Sequence, residues 1–491
     1  MDYLDPRKRQ RHAIMLYLGY ALIGIGIAIA TTVLVYQAYG FGIDKKGAVI
    51  QSGILFVSSQ PQPANIYING ELNKAKTNTR LKLPAETYQL LLQRDGYQSW
   101  SRSVEILGGT VKRFDYPMLI PNQLSTETIA NYKQAPGLAT QSPDKRWLAV
   151  SKPTTFGSFD IYDLKSPKKL PVSLTLPANL LTPASATQSW EVIEWADDNN
   201  NILLKHVYDA NFEYVLVNRE NPVQSVNISK SLQINPAKLQ LIDRKFDRFY
   251  AFDAEKKVLN RASLKSVDIL PALTDVVDFR SYGTDTLLYA TTTGASKGQV
   301  RIRLQVNEKD YQIRSVAADS KYLLDLTEYD REFYVVVGAS SENKVYIYKD
   351  PARQIGANPF KSPVPTQVLR VSLPNFVSFS SSAQFIMIQN GQEFAVYDIE
   401  LGDSYRYMAR QPLDAPQVNA TWMDGNRLTY VSKGMRVIFD YDYKNIREIG
   451  NSSALHRPVF APDSRYSYGL VSNPAGETNL TQTALRTPTD L

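Results

Sequence analysis

The chain contains no cysteine and only three histidines in 491 residues. The first absence excludes a disulfide framework, a thiolate metal site, a cysteine nucleophile and a lipid-modified N-terminal cysteine. It is compatible with export that needs no oxidative folding. The histidines are scattered: His12 beside an apolar run, His206 in a strand-like segment and His456 in a loop-like one. His206 reads as a satisfied structural histidine rather than a ligand. HExxH, GxSxG and Walker-type glycine loops are all missing, so metalloprotease, hydrolase and nucleotide-cradle chemistries lack their residues. No catalytic residue, metal site or cofactor is expected.

Acidic charge falls slightly short: 55 Lys and Arg stand against 48 Asp and Glu, a net charge of +7. Arg7, Lys8, Arg9 and Arg11 against Asp2 and Asp5 supply +2 of this in the first twelve residues, leaving +5 for the rest. So mild an excess reads as solvated surface. There is no basic helix or aromatic-interleaved stripe, and nucleic acid is not an expected partner.

One long uncharged run is present. From Ala13 to Ile43 there is no charged residue, and the run opens AIMLYLGYALIGIGIAIATTVLVY. As a helix over 13–36 it is about 36 Å long at roughly 1.5 Å per residue, enough to cross a hydrocarbon core of about 30 Å with tilt. A cleaved signal peptide has a shorter apolar region and a small-x-small site, which this segment lacks. Arg7, Lys8, Arg9 and Arg11 form the stronger basic flank, against the weaker Asp44, Lys45 and Lys46. They predict a cytoplasmic tail over 1–12 and an extracytoplasmic body, and so a single-pass location in the cell membrane. Tyr36, Tyr39 and Phe41 suit the far interface as an aromatic belt.

Residues 53–119 alternate with period two. Ile66 with Ile68, Tyr88 with Leu90 and Leu92, and Val104 with Ile106 mark the covered faces of short strands. Asn69-Gly70 and Gly108-Gly109 fall where tight turns need positive φ. The stretch LFVSSQPQPANIYING (55–70), then Leu83-Pro84-Ala85, Tyr88-Gln89-Leu90 and Gly96-Tyr97, resembles a PEGA domain. The motif positions are Pro61, Ala64, Asn69, Gly70, Gly96 and Tyr97. The eponymous four residues are here Pro61-Gln62-Pro63-Ala64, and Glu86 replaces the glycine expected before the central tyrosine, which puts local turn shapes in question. The resemblance implies a small non-enzymatic β-sandwich of prokaryotic envelope proteins.

Residues 121–487 repeat weakly. A turn rich in Asp, Ser, Asn or Gly leads to an apolar strand and then a second strand, as in SPDKRWLAV (142–150) followed by FDIYDL (159–164). Eight such units recur about every 46 residues, the period of a four-stranded propeller blade. SPDKRWLAV and FAPDSRY are similar to the blade turns of TolB-like propellers. The segment 128–132 is the candidate strand for closing the ring. The expected fold is therefore all-β with one N-terminal transmembrane helix: a small β-sandwich followed by a seven- or eight-bladed β-propeller.

Asp440-Tyr441-Asp442 matches the DxD pair of metal-dependent glycosyltransferases, and on a strand its carboxylates would share a face. The nucleotide-binding α/β scaffold is missing, however. Taken together these features predict a cell-envelope surface protein whose propeller binds a protein or glycan partner, with the PEGA-like domain as spacer or wall-proximal module. Two alternatives differ in class. A propeller enzyme acting on envelope glycans needs two convergent carboxylates in the central channel. A membrane-anchored sensor needs a partner helix, since about twelve residues form no folded output domain. The ligand-binding residues are not legible.

Overall fold

The computed structural model describes residues 6–43, 49–184, 187–415 and 418–490. The chain divides into two compact units, 1–123 with Asp490 and 124–489 with Leu491.

The first unit begins with the helix Pro6–Ala38. Its apolar portion, Arg9–Ala38, is long enough to cross a membrane, and none of the described residues covers it. An uncovered apolar helix is at odds with an aqueous setting and suits lipid, where the helix satisfies its own backbone. Arg9, Arg11, Tyr36 and Tyr39 are exposed. Arg7 and Lys8 are helical, but their side chains lie outside the described residues, as do Asp44, Lys45 and Lys46. Phe41 opens the strand Phe41–Ile43, which pairs with Val49–Val57, and its ring lies 5.2 Å from that of Tyr36.

Two four-stranded sheets follow. Val49–Val57 is central to one, flanked by Thr79–Pro84 and, in parallel, by Val111–Phe114. Asn65–Ile68 and Thr87–Gln93 are central to the other. The alternation works as read: Ile66, Tyr88, Leu90, Leu92, Val104 and Ile106 are buried together around Trp100. Asn69 (φ 51°) and Gly70 (φ 86°) make the tight turn between the first pair of strands. Gly108 departs from expectation. Only Gly109 has positive φ there, and Gly108 is required for space, because a Cβ on it would overlap the Gln51 side chain.

The second unit holds eight four-stranded antiparallel sheets. Sheets 1 to 7 each use four consecutive strands, starting at Ala139–Gln141, Gln188–Trp195, Lys238–Leu241, Val276–Tyr282, Tyr322–Tyr329, Phe376–Phe379 and Thr421–Trp422. Sheet 8 uses Val459–Phe460, Tyr466–Ser472 and Thr478–Ala484, then recruits Thr126–Tyr132 from the other end of the unit as its fourth strand. The closing strand is therefore the one the sequence suggested, extended by two residues.

Consecutive sheets share cores. Trp195 and Val215 of sheet 2 pack with Phe159 and Ile161 of sheet 1. Similar clusters join sheets 2 to 3, 3 to 4, 4 to 5 and 5 to 6. Phe385 against Trp422 and Phe394 against Phe439 join 6 to 7. Leu470 and Leu480 of sheet 8 pack against Leu148 and Val150 of sheet 1. Arg436 of sheet 7 donates to Thr483 of sheet 8, which completes the circuit: an eight-bladed β-propeller, in which each blade covers the apolar face its neighbour cannot cover alone.

Candidate functional site

The turn after the first strand is built alike in sheets 1, 2, 6 and 8. In sheet 1, Ser142 N donates to Trp147 O and Lys145 N to Ser142 O, with Lys145 at φ 61°. The same pair of bonds recurs from Ala196, Ser380 and Ala461, with Asn199, Ala383 and Ser464 at positive φ. These turns are the repeated polar signal in the sequence. In those four sheets they fix the register between the first and second strands.

A first strand is also an edge strand, with backbone groups that no fifth strand can pair. Side chains from the neighbouring sheet answer them. Glu194 accepts from Leu241 N. Lys238 Nζ donates to Phe279 O at 2.7 Å and to Asp278 Oδ1 at 2.8 Å. Arg280 Nε donates to Leu324 O at 3.2 Å, and Gln141 Nε2 to Phe460 O at 2.6 Å. Trp195 Nε1 and Trp422 Nε1 bond across sheets to Thr140 and Ser378.

Glu191, Glu194, Lys205, Lys238, Gln240 and Arg280 line a cavity of about 330 Å³ at this inner edge. Burial pushes the Glu194 carboxyl up to about 7, although Arg244 and Arg280 oppose the shift. Burial likewise pushes Asp325 up to about 6, again against Arg280. Desolvation lowers Lys238 despite Asp278 beside it. The inner edge therefore carries two carboxyls that burial makes harder to ionise, each already bonded to a backbone N–H, from Leu241 and Leu326 respectively. No motif announces Glu194, Lys238, Arg280 and Asp325, because each stands alone in its repeat and only ring closure gathers them. A charged residue in the first strand of successive repeats is the signal that could have found them.

The residues singled out from sequence are not gathered into one site. His206 is wholly buried, with Nδ1 2.9 Å from Glu213 and Nε2 2.9 Å from Gln188. It stacks among Phe156, Trp190 and Tyr208, in keeping with a structural role. His456 bonds to Pro136 O. The shared-face geometry for Asp440 and Asp442 is corrected: the strand ends at Asp440, and Asp442 lies in the following turn. Asp440 there accepts from Asn445, and Asp442 pairs with Lys444 at 3.6 Å. Among the described residues no group of three or more His, Asp or Glu side chains could hold a metal ion. Pro61, Ala64 and Tyr97 are buried in the sandwich, and Gly96 sits in a turn at φ 81°.

Residues 52–119 match the PEGA domain. No curated protein sequence matches the chain. Solved structures similar to it include Hsv2 of Kluyveromyces lactis, at 12% identity and TM-score 0.40 over 66% of this chain and 100% of that one. An uncharacterized protein from Listeria monocytogenes is similar at 13% identity and TM-score 0.40, over 66% and 91% of the two chains. An oligogalacturonate lyase from Vibrio parahaemolyticus is similar at 10% identity and TM-score 0.34, over 74% and 97%.

Proposed function

We propose that this is a single-pass surface protein: residues 1–12 in the cytoplasm, the helix in the membrane, and the sandwich and propeller outside. The sandwich acts as a spacer, and the propeller is the binding body for an envelope protein or glycan. The observation that carries the reading is the apolar helix Arg9–Ala38, which none of the described residues covers and which follows a basic cluster. Behind it stand the PEGA match, a module read as non-enzymatic, and a ring whose inner polar groups are spent on joining blades. Paired groups of that kind hold a scaffold rigid, as a binding surface requires.

A second reading, a glycan-active enzyme, is favoured by Glu194 and Asp325, whose raised pKa values suit acid–base work. One experiment separates the two. The full-length protein in detergent is incubated with envelope polysaccharide and envelope protein extracts. Retention and new reducing or unsaturated sugar ends are both measured. The binding reading expects retention without new ends. New ends that vanish in Glu194→Gln and Asp325→Asn would establish the enzyme instead.

A further inference from the structure

Where sheet 8 closes against sheet 1, the two turns leave a cavity of about 660 Å³, within the usual size range of ligand pockets. One wall is the turn 164–169, which carries Lys165, Lys168 and Lys169. The other is the turn Pro462–Tyr466, which carries Arg465. Asp463 is the one carboxylate in the lining, and it pairs with Arg465 at 3.2 Å. Four cations thus face one acid.

Several cations on other turns have a carboxylate partner: Lys245 has Asp197, Lys265 has Asp247, Arg427 has Asp424 and Lys444 has Asp442. Lys165, Lys168 and Lys169 make no such close pair among the described residues, although Asp163, held below the usual carboxylate range chiefly by Arg146, also feels the Lys169 ammonium. Lys165, Lys168 and Lys169 are all exposed, so three ammonium groups within five residues are open to a polyanion from solvent.

The lysine turn is held in shape independently of any ligand. Arg146 grips both oxygens of Asp163 at 3.1 and 2.9 Å. Asp163 in turn accepts from Lys165 N, while Lys169 N donates to Ser166 O at 2.9 Å. Opposite, Asp463 accepts from Arg465 N, and Arg465 O from Leu485 N. Between the charges, Pro167, Pro462 and Tyr466 offer flat apolar surface. Lysine ammonium groups are point charges on flexible stems, which accept anions at varied spacing rather than one bidentate geometry. A single aromatic ring offers no platform for stacking successive bases.

We infer that this junction binds an anionic glycan, a sugar chain bearing carboxylate or phosphodiester groups, with the charges on the lysines and sugar faces on Tyr466 and the prolines. The inference rests on the reading of the propeller as a binding body and names its ligand class.

The test is titration of the full-length protein in detergent with alginate (carboxylate), a phosphodiester-linked polysaccharide and neutral dextran. Lys165→Ala/Lys168→Ala/Lys169→Ala is compared with a charge-matched control, Lys257→Ala/Lys297→Ala/Lys309→Ala, all three exposed in the native fold. The expected result is salt-sensitive binding of at least one polyanion, weakened at least tenfold in the first variant and unchanged in the control. Whichever polyanion binds identifies the anionic group. Equal loss in both variants, or tighter binding of dextran, overturns the site. Capture of an acidic envelope protein with neither polyanion bound overturns the glycan inference and leaves the binding-body reading standing.

Discussion

Arg436 is wholly buried where sheets 7 and 8 meet, and burial lowers it to about 10. Its Nη2 donates to Thr483 Oγ1 at 2.7 Å. Room for the guanidinium comes from Gly469: a Cβ there would lie 2.8 Å from Arg436 Nη1 and 2.8 Å from Asn451 O. Gly469→Ala should therefore destabilise the propeller by about 1–3 kcal/mol, the usual penalty for overpacking. Gly137→Ala, whose Cβ would meet nothing within 4 Å, should be near neutral. Equal denaturation midpoints for the two variants would refute the steric account. Glu194 gives a pH test. Its folded pKa of about 7 lies above its ordinary value, so the folded state binds the extra proton. Stability from this group is fully present below about 4.5 and is lost as pH rises through about 7. Glu194→Gln keeps an acceptor for Leu241 N and should raise the melting temperature at pH 8 while changing little at pH 4. A drop at pH 8 with little change at pH 4 would mean that the charge itself is needed. None of this was legible in sequence, since an arginine beside a distant glycine, or a lone glutamate in one repeat, carries no pattern.

At the scale of elements, alternation and turn chemistry were enough to place strands. Tyr88-Gln89-Leu90 and Phe159–Leu164 fall where their periods and flanking turns put them. The strand Thr126–Tyr132 is polar enough to pass for a linker, and its place before the first repeat, not its composition, marked it. It pairs with Thr478–Ala484 along most of its length, and Tyr132 carries the link onward to Tyr162 at 2.7 Å. Asp440-Tyr441-Asp442 was misplaced because nothing in three residues shows where a strand stops. If the closing pair holds the ring, removing 456–491 deletes sheet 8 and exposes apolar surface on sheets 1 and 7. Thermal unfolding followed by circular dichroism should then lose its single cooperative transition. A truncated protein that melts like the intact body would show the sheets to be independent.

At the scale of the molecule, the two units have separate cores, so deletion of 53–119 should leave the propeller's melting transition in place. The account as a whole depends on orientation: a helix with Arg7, Lys8, Arg9 and Arg11 inside and the blades outside. The absence of cysteine makes this directly measurable, because each introduced thiol is the only one in the chain. Gln10→Cys and Ser296→Cys, both exposed, are expressed separately in cells stripped of outer wall layers and treated with a membrane-impermeant maleimide. The account predicts that Ser296→Cys is labelled in intact cells and Gln10→Cys only after permeabilisation. Labelling of Gln10→Cys in intact cells, with Ser296→Cys protected until lysis, would contradict it.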